Sequence, residues 1–149
     1  MRAKLEAALN KRWYGGVKPN LVLRAIALLY HGINRIRRFL YRKGIFKSVK
    51  MTVPVLVVGN FTAGGTGKTP FTIALVKAMQ NRGWKPGVVS RGYGRENATP
   101  VTVTPTSSAR NCGDEPLLIF QRTRCAIRVD SNRVDAAEFL IRQGCNLII

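Results

Sequence analysis

The stretch Val55-Leu-Val-Val-Gly-Asn-Phe-Thr-Ala-Gly-Gly-Thr-Gly-Lys-Thr69 decides how the chain is read. A β-branched apolar run, a glycine-rich loop, Gly-Lys-Thr and a helical pattern follow one another in the order that a phosphate-binding loop requires. Each part has a physical reason. Gly64, Gly65 and Gly67 let the backbone turn its N–H groups inward with no Cβ in the way. Those donors, with the positive end of the helix that follows, form a cradle for an anion. Lys68 is expected to reach the β- and γ-phosphates of ATP, and the Thr69 hydroxyl to ligate Mg2+. Thr62 stands where the generic loop has its first glycine, so the nucleotide-binding set is Thr62, Ala63, Gly64, Gly65, Thr66, Gly67, Lys68 and Thr69. The alternative is a glycine-rich strand-to-helix turn that binds nothing.

Outward from this loop, strands and helices alternate. Residues 53–58 read as a buried parallel strand, with Pro54 tolerable only near its start. A helix is predicted over 68–82 and closed by Gly83. Residues 87–90 and 126–129 read as strands, 101–104 as a short strand in a loop-rich stretch, and 117–121 as weakly helical. Asp130, Ser131 and Asn132 are all good N-caps for a helix ending at Gly144. Residues 146–149 open a last apolar strand, which is expected to lack a partner and to leave the domain marginally stable. The pattern is that of an α/β domain, P-loop NTPase-like, with a mostly parallel sheet and flanking helices. The domain is expected to be incomplete, because the acid that ends the Walker B strand would fall just past Ile149.

Charge separates a leader from this domain. The chain has 25 Lys and Arg against 7 Asp and Glu, a formal net charge of +18, which points to an anionic partner. Thirteen of the 25 basic residues lie within residues 1–50, where Glu6 is the sole acid, so we divide the sequence into a leader, 1–50, and a kinase-type domain, 51–149. No secretory signal is evident. Residues 21–30 are apolar except for Arg24, about half of the roughly 20 residues that a membrane-spanning helix needs. Ile33, Ile36, Phe39 and Leu40 continue the helical spacing, with Arg35, Arg38 and Arg42 on another face. Pro19 suits the start of this helix and Gly44 its stop. Such a basic amphipathic helix can lie in the plane of an anionic membrane surface, or it can pack on the protein's own domain with its arginines solvated.

Two further stretches carry candidate chemistry. Asp114 and Glu115, between Gly113 and Pro116, can present an acid to a phosphate site from a turn, or can serve as a helix opening. Ser90-Arg-Gly-Tyr-Gly-Arg95 follows a strand directly, where open α/β sheets bind ligands. Arg91 and Arg95 could face an anionic substrate and Tyr93 could stack on it; the alternative is a flexible basic loop. Cys112, Cys125 and Cys145 are too scattered for a metal pair and read as reduced thiols. With His31 as the only histidine, a Ser-His-Asp triad or a His-rich metal site cannot be built from this chain alone.

The basic leader, the phosphate loop from Pro54 to Pro70, Ser90-Arg-Gly-Tyr-Gly94 and Gly113-Asp-Glu-Pro116 together resemble one family, the tetraacyldisaccharide 4'-kinases (lipid A 4'-kinases) of Gram-negative bacteria. Thr62 at the loop's first position is what this family looks like. The resemblance implies ATP- and Mg2+-dependent phosphorylation of the 4'-hydroxyl of a lipid-linked tetraacyl glucosamine disaccharide at the cytoplasmic face of the inner membrane. It implies Thr62 to Thr69 as the ATP loop, Asp114 as the acid that draws the proton from the attacking hydroxyl, and Glu115 at the metal. Added to the residue reading above, the candidate set is Asp114 and Lys68 as catalytic, Thr69 and Glu115 at the metal, and Arg91, Tyr93 and Arg95 at the substrate. The leader would dock on the membrane, and no nucleic-acid partner is expected. Members of the family are about twice as long and carry an Asp-Asp-Gly motif and a second domain beyond the strand matching 146–149. The chain is therefore expected to be a fragment, inactive alone. Two other readings share the composition: a P-loop kinase or ligase of a soluble small molecule, and a basic nucleic-acid-binding module, for which no recognisable motif is present.

Overall fold

The computed structural model describes residues 20–59 and 67–149, and the chain divides into two units, Met1–Ser48 and Val49–Ile149. In the first unit, helix α1 (Leu21–Arg42) starts where Asn20 accepts a hydrogen bond from the Leu23 N–H at 3.0 Å. That satisfies one of the orphan donors of the first turn. It stops at Lys43, and Gly44 follows with φ +72. At about 100° per residue, Val22, Ile26, Leu29, Ile33, Ile36 and Leu40 form one stripe and Arg24, Arg35, Arg38 and Arg42 the opposite one. None of its residues is buried. Arg37 lies over the Tyr41 ring at 5.8 Å and Lys43 over Phe39 at 5.6 Å, so the aromatic and basic side chains at its C-terminal end are interleaved. Among the described residues no helix is long and apolar enough to cross a membrane.

The second unit is the α/β layer. Its elements are α2 (Lys68–Gln80), β1 (Pro86–Ser90), β2 (Val101–Thr102), α3 (Ala109–Cys112), α4 (Asp114–Thr123), β3 (Ala126–Val129), α5 (Arg133–Arg142) and β4 (Leu147–Ile148). The strand order is β2-β3-β1-β4. β1 runs parallel to β3, with Val88 opposite Ile127, and parallel to β4, with Gly87 opposite Ile148. Only β2 is antiparallel, its Val101 opposite Val129. Alternation along β1 and β3 sends side chains to two cores. Val88, Ile127 and Val129 join Val76 of α2 and Ile119 of α4 on one face. Val89 joins Ala137 and Leu140 of α5 and Ile148 on the other.

Most predicted elements appear within a few residues of their expected limits. Gly83 (φ +81) and Gly144 (φ +88) close α2 and α5, and Asn132 is the residue that caps α5. Two strand expectations need correction. Residues 53–58 form no buried strand. Val55 makes a single parallel bridge to Ile148, and Val57 is 88% exposed. The reason is that β4 offers only two residues for pairing and, among the described residues, nothing lies on the other side. The last strand, conversely, is not unpaired. β4 lies between β1 and residues 54–56, and Ile148 donates to Pro54 O at 3.0 Å while Leu56 donates to Ile148 O at 2.8 Å. The helix Ala109–Cys112 has no counterpart among the predicted elements, since four residues are too few to show a period.

All three cysteines are free and buried. Burial is the first cause that lifts each thiol above its ordinary value of 9.0; at Cys112 the nearby Asp114 charge adds to it, and at Cys125 a hydrogen bond from Thr123 opposes it. The unfolded chain therefore gives up these protons more readily than the folded one. Their contribution is intact below the ordinary value of 9.0 and is lost as pH rises past it. Urea midpoints are expected to be unaffected by these groups between pH 7 and about 8 and to fall above about 9. Substituting Ile127, fully buried at the sheet's centre, with alanine is expected to cost about 2–5 kcal/mol in the same titration.

Candidate functional site

Three chain segments converge at the carboxyl ends of β1 and β3. The first is the start of α2. Gly67 takes the left-handed conformation, φ +76, and accepts from the Phe71 N–H at 3.0 Å, which turns the chain into the helix at Lys68. Lys68 is exposed and Thr69 is half-buried. The preceding candidates Thr62, Ala63, Gly64, Gly65 and Thr66 lie outside the described residues.

The second segment is the start of α4. Asp114 and Glu115 are its first two residues, both exposed, and Gly113 precedes them with no side-chain cap. They thus open the helix, as the second reading of Gly-Asp-Glu-Pro has it, rather than sit on a free turn. Carboxylates at this position face the positive end of the helix, which stabilises their charge. Glu115 reaches across to the phosphate-loop helix, and the Thr69 hydroxyl donates to its Oε1 at 2.7 Å. A sequence separation of 46 residues is closed by this one hydrogen bond. A threonine hydroxyl and a carboxylate are hard oxygen donors of the kind Mg2+ takes. Among the described residues no group of three or more His, Cys, Asp or Glu side chains could hold a metal. The pair therefore fits an ion that keeps water and phosphate oxygens in most of its six positions.

The third segment is the loop after β1. Ser90 accepts from the Gly92 N–H at 3.2 Å, and Gly92 itself is buried at φ +65. Arg91 is exposed, and the Tyr93 side chain is 99% exposed. A cleft of about 370 Å³ is lined by Arg91, Arg95, Glu96, Asn97, Ala98 and Ser131. Arg95 does not offer its whole guanidinium to this space. It donates to Thr99 O at 2.7 Å and to Ala98 O at 2.9 Å, folding its own loop into the cleft's wall. Arg95 thus lines the cleft while tied to its own loop.

Some site residues carry no signal that sequence reasoning could use. Glu96 and Asn97 lie in a loop without periodicity. Asp130, read only as a possible helix cap, is buried at 6% exposure and accepts from the Asn132 N–H at 2.9 Å. It anchors the turn that presents Ser131 to the cleft, while its N–H donates to Ser90 O at 2.9 Å. Loop, turn and strand ends are thereby tied together.

A mostly parallel sheet with Gly-Lys-Thr opening one helix and an acidic pair opening its neighbour defines a P-loop kinase fold. The chain belongs to the Tetraacyldisaccharide-1-P 4'-kinase (LpxK) family, whose profile matches residues 19–149. It is 50% identical over 138 residues to a tetraacyldisaccharide 4'-kinase of Stenotrophomonas maltophilia, covering 92% of this chain and 41% of that protein. It is 45% identical over 143 residues to the enzyme of the same name from Methylobacillus flagellatus, covering 95% of this chain and 43% of that protein. Among solved structures it resembles the "apo" form of LpxK from Aquifex aeolicus in complex with ATP, with a TM-score of 0.71 and 28% identity, over 86% of this chain and 42% of that one. The chain thus spans about two fifths of the length of these relatives.

Arg95 gives this site its first test. Arg95→Ala removes both carbonyl contacts, and amide exchange across residues 96–99 is expected to rise roughly tenfold, about one net hydrogen bond. Arg95→Lys, which lacks the planar fork, is expected to recover only part of the protection.

Proposed function

We propose that this chain is the nucleotide-binding part of a kinase that transfers the γ-phosphoryl group of ATP to the 4'-hydroxyl of a lipid-linked tetraacyl glucosamine disaccharide. The observation that carries this reading is the hydrogen bond between Thr69 and Glu115, which brings the phosphate loop's Lys-Thr pair and the Gly-Asp-Glu segment to one point. The names of the relatives support the acceptor, and the complex of Aquifex aeolicus LpxK with ATP supports the donor.

Each residue then has a task. The 62–67 loop would supply backbone N–H groups to the phosphates, and Lys68 would balance charge on the β- and γ-phosphates. Thr69 and Glu115 would hold Mg2+, which when bound neutralises charge on the phosphate oxygens. Asp114 takes the proton from the 4'-hydroxyl as its oxygen forms a bond to the γ-phosphorus. The bond from that phosphorus to the bridging oxygen breaks, and its electron pair leaves with ADP. Arg91 and Tyr93 border the acceptor, with Arg95 shaping the loop that carries them. A carboxylate beside the scissile phosphate needs no metal of its own to act as base, but it must be unprotonated and near the hydroxyl.

The leader has a task as well. We place the protein at the cytoplasmic face of the inner membrane, with the apolar stripe of α1 in the bilayer surface and its arginines toward anionic headgroups. An acylated acceptor stays in the bilayer because each methylene removed from it costs about 0.8 kcal/mol. An enzyme for such a substrate has to come to the surface.

Isothermal titration with Mg-ATP tests the nucleotide site. Heat is expected for the parent chain and none for Lys68→Ala, while Asp114→Ala retains binding; equal loss in the two variants contradicts the role given to Asp114. Flotation with vesicles rich in anionic lipid tests the leader. Reversing Arg35, Arg38 and Arg42 to glutamate is expected to lower vesicle binding at least a hundredfold, from about 1 kcal/mol per basic side chain.

A further inference from the structure

The two motifs outside the phosphate loop meet through glycines. Gly92, in the loop after β1, has φ +65, and a Cβ built on it would lie 2.4 Å from Val129 Cγ1, 2.8 Å from Arg95 Cδ and 2.9 Å from Cys112 O. Gly113, just before Asp114, has φ +92, and a Cβ there would lie 3.2 Å from Gly92 Cα and 3.3 Å from Tyr93 O. Backbone therefore rests on backbone, with no side chain between. Both glycines are buried, although the residues on either side of Gly92 and Asp114 and Glu115 after Gly113 are exposed.

We infer that the contact between Gly92 and Gly113 is a positioning joint, which sets the start of α4 against the β1 loop and so holds Glu115 within reach of Thr69. The inference rests on the nucleotide reading above and deepens it. The chain of contacts is short. β1 and β3 fix Gly92, since Val129 is fully buried beneath it. Gly92 fixes Gly113, and Gly113 is the residue before Asp114 and two before Glu115. A Cβ inserted at the joint has only backbone or packed core to push against, apart from the flexible Arg95 stem, so α4's first turn must move by a few tenths of an ångström. A 2.7 Å hydrogen bond whose acceptor sits two residues away responds to a displacement of that size. Arg91 and Tyr93, on either side of Gly92, shift with it. Neither glycine has a side chain to offer a ligand, so both act through their neighbours.

A control within the same loop separates this role from backbone strain. Gly94 also has positive φ, +81, but a Cβ on it would meet nothing within 4 Å. Gly94→Ala thus also places an alanine at positive φ, as Gly92→Ala does, but without the contact. The parent chain, Gly92→Ala, Gly113→Ala and Gly94→Ala are compared by titration with ATP, with Mg2+ and with excess chelator. The joint predicts that Gly92→Ala and Gly113→Ala lose roughly tenfold in the Mg2+-dependent part of the affinity and keep the chelator value, while Gly94→Ala keeps both. Equal loss in all three variants, or loss in both conditions, reduces the glycines to a stability role and overturns the inference. A second readout needs no nucleotide. Cys112 is fully buried at the joint, its carbonyl against Gly92. Its alkylation rate, followed by peptide mapping in native buffer, is expected to rise at least tenfold in Gly92→Ala and Gly113→Ala and not in Gly94→Ala. If the parent chain gives no heat with Mg-ATP, the kinase reading fails on its own account. The alkylation rates still decide the joint, and unchanged protection of Cys112 in both variants overturns it.

Discussion

β1 has a parallel strand on each side, and that pairing is the constraint on which the other contacts rest. Ser90 O accepts from the Asp130 N–H on the β3 side, and Val89 donates to Ile149 O on the β4 side. Parallel neighbours end at the same edge of the sheet, so the loops leaving β1 and β3 meet there without further design. Burial on both faces holds the register. Val88 sits in one core and Val89 in the other, and a slip of one residue would exchange them. Gly87 shows how closely the layer is packed, since a Cβ on it would lie 2.9 Å from Cys145 Sγ and 3.1 Å from Leu140 Cδ1.

Helices α2 and α4 share one face of this sheet, and their N-termini point toward the same end as the strands' carboxyl termini. The two helices are joined along their length as well, where the Gln80 side chain donates to Thr123 O at 3.0 Å. Positive helix ends gathered at one place favour anions there: phosphate at the first, carboxylates at the second. In the proposed reading the first receives the phosphates and the second sets a carboxylate beside them. Both follow from one packing arrangement.

Much of this is legible in local chemistry. Asn20, Asn132, Gly83 and Gly144 act within a turn of their own position, so their capping and stopping roles follow from residue type. The strands at 87–90 and 126–129 follow from β-branched runs between turn residues. Other features depend on neighbours far along the chain. The apolar run at 53–58 has the composition of a buried strand, yet its exposure is set by which strands lie beside it. The run at 146–149 is last in sequence, whereas in the sheet it lies between β1 and residues 54–56.

The family pattern, the Lys-Thr pair, the acidic pair and the basic stripe of α1 are properties of residue order, and no fold is needed to read them. Packing had to settle that Glu115 faces Thr69, that Arg95 is bound to its own loop, and that Gly92 and Gly113 touch. These are distances between segments separated by tens of residues, or choices among several carbonyls within reach. A hydrogen bond or a missing Cβ acts over a few ångströms, and residue order carries no information about which distant groups come that close.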